Sequence, residues 1–378
     1  MNSGTALLDS KLAMARPVID HYVQDDAVEA VCLTGSLTAG LGTAYSDLDV
    51  IAIVPADYER PGFERTAHHG STSQHGVGLD RVDVVYRSAS WLAEIAALGR
   101  PYIATMHSNP AIICGPADLI EDAVRLKLGR VLKPSPRLRQ TRDALSTGAE
   151  HLRNFMIAKL AADVGAAWMD ALGFIGLRDF DSLDVWSRTM LTYALDAACV
   201  AENDLYRGQK WIWNRACRTP SLFPVHAWLR HLMLDRDAAG PRQHDTPAWG
   251  QRMLLAQKLM VQAILCQRYS GELPPMLSAA LADRRCGPLR SPYWAIVQLT
   301  ESAILTDRDD RHYAVPDLAV ACWAAADGVP RAELVASVRR MYPDTAKSRI
   351  EATLDHLRGI GAIAGEGAWQ DLFVNDAR

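Results

Sequence analysis

The segment VCLTGSLTAGLGTAYSDLDVIAIV, residues 31–54, limits the possible fold more than any other part of this chain. It contains two apolar runs joined by a loop of small residues, and the second run carries Asp47 and Asp49. Asp is disfavoured in strands, and an ionised carboxylate in an apolar setting is costly unless it is paired. Side chains alternate along a strand, so Asp47 and Asp49 project to one face while Leu48 points away. These carboxylates repel each other, and a divalent cation between them would remove that repulsion.

Two further features accompany this pair. Gly35 and Ser36 form a turn directly after the first apolar run, where backbone N–H groups and a hydroxyl can hold a phosphate chain. Asp83 lies in a later apolar stretch, VDVVY. A lone Asp-x-Asp or a lone Gly-Ser is common and has no function of its own. Together and in this order, each beside an apolar run, the three features predict a metal site that serves a triphosphate.

The order of these features resembles the signature of the polymerase-β nucleotidyltransferase superfamily, across residues 25–125. The resemblance implies an α+β fold: a mixed sheet with flanking helices. It implies transfer of a nucleoside monophosphate from ATP or another NTP to an acceptor hydroxyl, with release of pyrophosphate. Three carboxylates would be catalytic and would bind Mg²⁺, or Mn²⁺ in its place: Asp47, Asp49 and Asp83. The nucleotide would bind at the turn formed by Gly35 and Ser36.

Three histidines precede the Asp83 segment: His68, His69 and His75. A substrate contact and a bound metal are both consistent with them. However, the HH-x5-H spacing is no established ligand pattern. We therefore interpret the three histidines as residues of a solvated hairpin.

The remainder of the chain changes character twice. The two prolines of KPSPRLR, residues 133–139, indicate a linker, and the pattern after it is nearly all helical. A later stretch, YWAIVQLTESAILTDRDDRHYAV, alternates like paired strands and is followed by three amphipathic helical segments. The predicted domains are a nucleotidyltransferase domain over 1–135, a helical bundle over 136–286 and a winged-helix-like module over 287–378.

The bundle contains a second resemblance, in the segment DLYRGQKWIWNRA, residues 204–216. It is similar to a Lys-Trp segment that follows the catalytic domain in small-molecule nucleotidyltransferases, including aminoglycoside-modifying ones. That similarity implies that Lys210 faces the nucleotide phosphates; the alternative is a surface lysine beside packed tryptophans. Two upstream carboxylates, Asp196 and Glu202, are candidate general bases for the acceptor hydroxyl, although solvated helix charges would explain them equally well.

The final module resembles the recognition element of ribosomally synthesised and post-translationally modified peptides (RiPPs), a small winged helix that binds leader peptides. The resemblance lies in a strand pair before a helix that ends at Asp327-Gly328, and in a closing Leu-x-x-x-Gly, Leu357 to Gly361. It implies that a leader peptide adds as a strand to an exposed sheet edge. A DNA-binding winged helix has a similar pattern, but the modest basic content makes that role less attractive.

Composition narrows the range of partners and compartments. The net charge of −4 gives no general attraction for nucleic acid, so nucleic acid is an unlikely partner. The seven cysteines contain no CxxC pair, which indicates free thiols in a reducing cytoplasm. We expect no signal peptide, because the N-terminus lacks a basic stretch followed by an apolar core, and no membrane span, because no apolar run approaches about 20 residues. The predicted localisation is cytoplasmic.

Three functional hypotheses follow. The enzyme modifies a ribosomal peptide or its product, recruited through the final module. Alternatively, it is an antibiotic nucleotidyltransferase of the aminoglycoside type, acting on a small molecule. A non-catalytic nucleotide-binding protein is the third hypothesis, and the three intact carboxylates argue against it. The sequence does not choose between the first two.

Overall fold

The structure is a computed structural model of the 378-residue chain. It describes residues 3–55, 58, 63–66, 69–77, 80–108, 118–234, 247–266, 287–298 and 303–364. They form two compact units, the first of Met1–Phe155 with Leu205–Arg207 and the second of Met156–Asp204 with Gly208–Arg378. The chain combines a mixed sheet with many helices, so the predicted α+β class is confirmed at that level.

The first unit contains one six-stranded sheet. Its elements are α1 (Ser3–Gln24), β1 (Ala30–Thr34), α2 (Gly35–Thr38), β2 (Leu48–Val54), β3 (Phe63–Thr66), β4 (His69–Val77), β5 (Asp80–Ser88), α3 (Ala89–Ala97), α4 (Tyr102–Ser108), α5 (Asp118–Leu128), β6 (Arg130–Lys133) and α6 (Pro136–Thr147). The strand order is β3-β4-β5-β2-β1-β6. Strands β2 and β5 are parallel, and the other neighbouring strands are antiparallel.

The core of this unit lies where α1 packs on the central strands. Apolar residues of α1 recur at helical spacing and are buried: Leu8, Leu12, Ala15, Ile19 and Tyr22. They pack against alternate residues of the sheet, among them Leu33, Val50 and Val84. Pro17 lies inside α1, which continues to Gln24.

The prolines predicted to form a linker instead begin a helix. Pro136 occupies the first turn of α6, and the Ser135 hydroxyl accepts a hydrogen bond from the Leu138 N–H at 3.1 Å. Proline is favoured at that position because its missing N–H is not needed there. Helix α6 then packs on α3, where the Thr141 hydroxyl donates to the Leu92 carbonyl at 3.2 Å. Helix α6 therefore belongs to the first unit.

The nearly all-helical pattern predicted after residue 139 is interrupted at Gly148, which separates α6 from α7 (Ala149–Leu177). The backbones of Gly148 and Gly99 touch here. A Cβ atom added to Gly148 would lie 2.0 Å from the Gly99 carbonyl oxygen. Only glycine fits this close approach of two main chains.

The second unit contains most of the helices and the final strands. Its elements after α7 are α8 (Phe180–Ala201), α9 (Ile212–Ala216), α10 (His226–Leu234), α11 (Ala248–Cys266), β7 (Leu289–Arg290), β8 (Trp294–Gln298), β9 (Ala303–Asp307), β10 (His312–Val315), α12 (Asp317–Ala325), α13 (Arg331–Met341), α14 (Lys347–Gly359) and β11 (Ile363–Ala364). Strands β10-β9-β8 form one antiparallel sheet, and β11 pairs with β7. The predicted order of paired strands followed by three helices is present.

A buried charge cluster joins α11 to this final region. Asp327 accepts from Lys258 Nζ of α11 through Oδ2, and its Oδ1 lies 2.5 Å from Nη1 of Arg290 in β7. All three side chains are buried. Arg290 also donates to the Leu254 carbonyl of α11 at 3.0 Å. Residues from 287 onward therefore share one compact unit with the helices that precede them.

A polar turn at 307–311 connects β9 to β10. The Asp307 carboxylate accepts from the backbone N–H groups of Asp309 and Arg311, each at 3.0 Å, and from Arg311 Nε at 2.6 Å. Burial works to raise the pKa of Asp307, but these hydrogen bonds and the Arg311 charge outweigh it, so the pKa is lowered. The turn is therefore stabilised by the ionised form of this residue.

One helix bears on the expectation that the chain has no membrane span. Helix α7 is long and apolar enough to cross a bilayer, with a mean hydropathy of 1.4 in its most apolar window, 39% of which is buried. Core helices of soluble proteins meet the same criterion, so the finding is weak evidence. The helix also carries an ion pair, with Lys159 Nζ 2.8 Å from Asp163 Oδ1.

Candidate functional site

Two of the predicted carboxylates lie next to each other in the sheet. Asp49 and Asp83 are paired in register on the parallel strands β2 and β5. Residues in register on neighbouring strands point to the same face. Asp47 lies two residues before Asp49, just outside β2. The structure thus brings Asp49 and Asp83 together at the start of β2, with Asp47 close by in the chain.

The turn at Gly35 lies directly against this pair. Thr34, the last residue of β1, is paired in register with Asp49. Gly35 has a φ of 83°, and a Cβ atom added to it would lie 1.9 Å from Asp49 Oδ2. The Thr38 hydroxyl donates to the Gly35 carbonyl at 2.9 Å, and Ser36 beside it is buried. Glycine is required here both for its backbone conformation and for the space that the carboxylate occupies.

An arginine that the sequence reasoning missed is bound to the carboxylates. Arg81 lies two residues before Asp83 on β5, and its Nε is 2.9 Å from Asp83 Oδ1. The hydrogen bond and charge of Asp83, followed by the charges of Asp47 and Asp49, raise the pKa of Arg81. The guanidinium of Arg81 therefore contacts Asp83, and the charges of Asp47 and Asp49 act on it from farther away. The alternation of side chains along β5 places residues 81 and 83 on one face, and this pattern could have indicated Arg81 from the sequence.

A second arginine lies within the electrostatic reach of Asp49. Arg125 of α5 is half-buried, and its Nη2 is 2.5 Å from Glu121 Oε1. Burial works to lower the pKa of Arg125, but the charges of Glu121, Asp49 and Asp122 outweigh it and the pKa is raised. The carboxylate site therefore has cationic groups on both a strand and a helix.

A buried network fixes the strand that carries Asp83. Asp122 of α5 accepts from Arg87 Nε of β5 at 2.5 Å and from Trp91 Nε1 of α3 at 2.9 Å. All three side chains are buried. A buried ion pair with an added hydrogen bond is rigid as long as both partners are present. This network ties β5 to both neighbouring helices.

The loop before Asp47 is held by a buried lysine. Lys11 of α1 is 3% exposed, and its Nζ donates to the Ser46 carbonyl at 2.9 Å. Ser46 in turn accepts a hydrogen bond from the Thr43 N–H through its hydroxyl, at 2.9 Å. A lysine in an amphipathic helix gives no sequence signal of such a contact. Lys11 is a residue that positions the loop.

The donor set suits a divalent cation with a preference for oxygen. Carboxylate oxygens are the ligands that Mg²⁺ prefers, the missing Cβ of Gly35 leaves room for one of them, and a guanidinium stands beside them as a cation. Within the described ranges, no three His, Cys, Asp or Glu side chains converge as a metal centre. The residues fit the metal by their chemistry, and Arg81 already occupies Oδ1 of Asp83, one of the oxygens that would bind it.

One predicted residue of the second unit is placed differently from expectation. Asp196 is only 2% exposed, and its Oδ1 lies 2.5 Å from Nη1 of the fully buried Arg215. Arg215 also donates to the Asp204 carbonyl at 2.6 Å. A carboxylate that is buried and paired in this way stabilises the helices. This placement corrects the prediction of Asp196 as an acceptor base.

Two other predicted residues of this unit are more accessible. Glu202 caps the end of α8, and its Oε1 accepts from the Ser221 N–H at 3.1 Å. Lys210 is exposed in a short 3₁₀ helix, and its Nζ lies 5.5 Å from the centre of the Trp211 ring, a cation–π contact. Both roles stay predictions.

The predicted histidines fall partly outside the described residues. His68 is one of those that the structure does not describe. His69 and His75 belong to β4, which forms an antiparallel pair with β3 and another with β5. Their backbones thus lie in a hairpin beside the Asp83 strand.

Comparisons with known proteins give a distant structural similarity. No protein-family model matches the sequence, and no curated protein matches it. A solved structure with similarity to the chain is that of a nucleotidyltransferase-like protein from Exiguobacterium sibiricum 255-15. The identity is 10%, the match covers 68% of this chain and 74% of that chain, and the TM-score is 0.33. Similarity at this level supports no conclusion about function.

Proposed function

We propose that this chain is a metal-dependent nucleotidyltransferase that moves a nucleoside monophosphate from an NTP, with ATP as the first choice, to an acceptor hydroxyl. Pyrophosphate is the second product. The observation that carries the proposal is the register pairing of Asp49 with Asp83, with the Gly35 backbone in contact with the Asp49 carboxylate. The sequence motifs that resemble the polymerase-β superfamily are thereby adjacent in space.

The carboxylates would hold the metal, and the turn would hold the nucleotide. Asp47, Asp49 and Asp83 would bind Mg²⁺ or Mn²⁺, which when bound neutralises charge on the triphosphate and on the departing pyrophosphate. Main-chain N–H groups at Gly35 and Ser36 would donate to phosphate oxygens, as successive backbone amides do in anion-binding turns.

The cationic side chains extend this arrangement. Arg125 supplies positive charge near Asp49, which favours an anionic phosphate close to the carboxylates. We include Lys210 as a further phosphate ligand and Glu202 as the candidate base for the acceptor hydroxyl. Both assignments rest on the sequence and on the accessibility of the two side chains.

For the acceptor, we propose a ribosomal peptide or a product derived from one. Strand β10 is an edge of the three-stranded sheet and, among the described residues, pairs only with β9. Its residues His312 and Ala314 are exposed. An extended leader peptide can add to such an edge through main-chain hydrogen bonds.

The test is a mass-shift screen of the full chain with ATP and Mg²⁺ against pools of peptides and aminoglycosides. We expect the mass of one nucleoside monophosphate to be added to a peptide. Asp49→Asn should give no product, because the loss of a metal-bound charge removes roughly several kcal/mol of transition-state stabilisation. The matched control is Asp9→Asn, an exposed aspartate of α1 that pairs with Arg130 and should leave turnover unchanged.

Each other outcome of the screen has a definite meaning. An adduct on an aminoglycoside would replace the peptide acceptor with an antibiotic. Near-normal turnover by Asp49→Asn would show that the metal site has been assigned to the wrong residues. Nucleotide binding without any adduct would favour the non-catalytic hypothesis.

A further inference from the structure

We propose that Arg81 is a built-in counter-cation that competes with the divalent metal for Asp83 and thereby sets the metal affinity of the site. This inference rests on the proposed function, because it concerns the same carboxylates. It assigns a role to a residue outside the three sequence motifs.

The first step of the argument is the electrostatic balance of the site. Asp49 and Asp83 are paired in register and Asp47 is two residues from Asp49, so their carboxylates repel one another and a positive charge beside them lowers that repulsion. Arg81 supplies it: Nε contacts Asp83 at 2.9 Å, and the charges of Asp47 and Asp49 act on the same guanidinium. The guanidinium therefore does electrostatically what a bound cation would do.

The second step is that both cations bind the same carboxylate. Arg81 Nε occupies Oδ1 of Asp83, so a metal that binds through this oxygen, or through both oxygens, weakens or displaces the hydrogen bond. The affinity of the metal is then reduced by the stability of the ion pair, and a metal bound through Oδ2 alone still lies beside the guanidinium. Repulsion between the guanidinium and a divalent cation acts in the same direction.

The third step is that Arg81 can leave at low cost. Its side chain is 47% exposed, whereas Asp83 is 26% exposed. An exposed arginine regains its hydration when the pair breaks, which is why pairs of this kind are weak. Asp83 is held in place by its strand, so the mobile partner of the pair is the arginine.

The probe is Mn²⁺ alone, added to the full chain without nucleotide and followed by the EPR signal of the free ion. We expect Arg81→Gln to bind Mn²⁺ about three- to tenfold more tightly than the unmodified protein. The range follows from the loss of one partly exposed ion pair and of one positive charge close to the metal. Arg81→Lys keeps the charge and should stay close to the unmodified affinity. The gap between Gln and Lys variants should narrow as salt is raised.

The matched control is Arg16→Gln. Arg16 makes the same type of ion pair with Asp20, with Nε 3.0 Å from Oδ1, but lies on α1. It should leave Mn²⁺ affinity unchanged. Equal or weaker Mn²⁺ binding by Arg81→Gln would overturn the inference while leaving the proposed function intact. Failure of the unmodified protein and of Arg81→Gln to bind Mn²⁺, with or without ATP, would overturn both.

Discussion

Replacing Gly35 with alanine adds one Cβ atom, which perturbs both the backbone turn and the neighbouring carboxylate of Asp49. The φ of 83° disfavours any residue with a Cβ, and the new Cβ would lie 1.9 Å from Oδ2, 2.7 Å from Cγ and 2.9 Å from Cβ of Asp49. Rotation of the Asp49 side chain moves the carboxylate but leaves its own Cβ in place. The contact is therefore relieved only by a shift of β1 against β2.

Gly40 provides the matched control for the backbone conformation. Its φ is 70°, and an added Cβ would meet nothing within 4 Å. A left-handed conformation costs an alanine about 1–2 kcal/mol, so Gly40→Ala should lose that amount of unfolding free energy. Gly35→Ala carries the same cost plus about 1–3 kcal/mol for the steric overlap. The difference between the two variants isolates the contact with Asp49.

Two measurements separate the effects. Urea unfolding followed by circular dichroism reports stability, and Mn²⁺ binding followed by EPR reports the carboxylate site. We expect Gly40→Ala to lose stability but to keep its Mn²⁺ affinity, and Gly35→Ala to lose both. Equal losses of stability in the two variants, with equal Mn²⁺ affinities, would refute the inferred contact between Gly35 and the carboxylate.

Three further predictions concern the scaffold. Gly148→Ala places a Cβ 2.0 Å from the Gly99 carbonyl oxygen and should lower the unfolding free energy by about 1–3 kcal/mol. Its control is Gly165→Ala inside α7, where the Cβ meets nothing within 4 Å and should raise the unfolding free energy by about 0.5–1 kcal/mol. Thermal unfolding in which both variants change stability in the same direction would contradict this. Asp327→Asn leaves two buried cations without their counter-charge and should cost about 3–5 kcal/mol, measured by urea unfolding; a cost below about 1 kcal/mol would mean that water reaches the cluster. Because the pKa of Asp307 is lowered in the folded state, its carboxylate stabilises the fold above the unfolded pKa of about 3.9, and this contribution is lost as the pH falls through the folded pKa. Asp307→Asn should therefore reduce the slope of the unfolding free energy on the acid side of a stability–pH profile. An unchanged acid slope would count against the turn contacts of Asp307.

The central strands and the carboxylate pair could be predicted from the sequence because they follow a simple pattern. Strand β1 is buried throughout, and β2 is buried after Asp49, so both appear as continuous apolar runs. Alternation then places the aspartates on one face. Strands β3 and β4 give no such signal, because HGSTSQHGV is polar and rich in glycine. Their pairing to β5 comes from tertiary structure.

Long-range pairing explains the remaining differences. Asp196 has the spacing of a solvated helix charge, and nothing local shows that Arg215, nineteen residues later, is buried against it. The prolines at 134 and 136 predict a linker as readily as a helix start, and only the Ser135 cap distinguishes the two. Arg81 shares a strand face with Asp83, but a pattern cannot show which way a flexible side chain turns.

The buried charges of Lys258, Arg290 and Asp327 have a consequence for any division of the chain near residue 287. A fragment that begins at 287 would carry Asp327 and Arg290 without Lys258, and a fragment that stops at 286 would leave Lys258 facing an apolar interior alone. The fragment from 287 keeps the pair of Arg290 and Asp327, whereas the fragment to 286 has a buried Lys258 with no counter-charge. Transfer of this region between proteins is therefore expected to destabilise the helices left behind unless α11 is transferred with it.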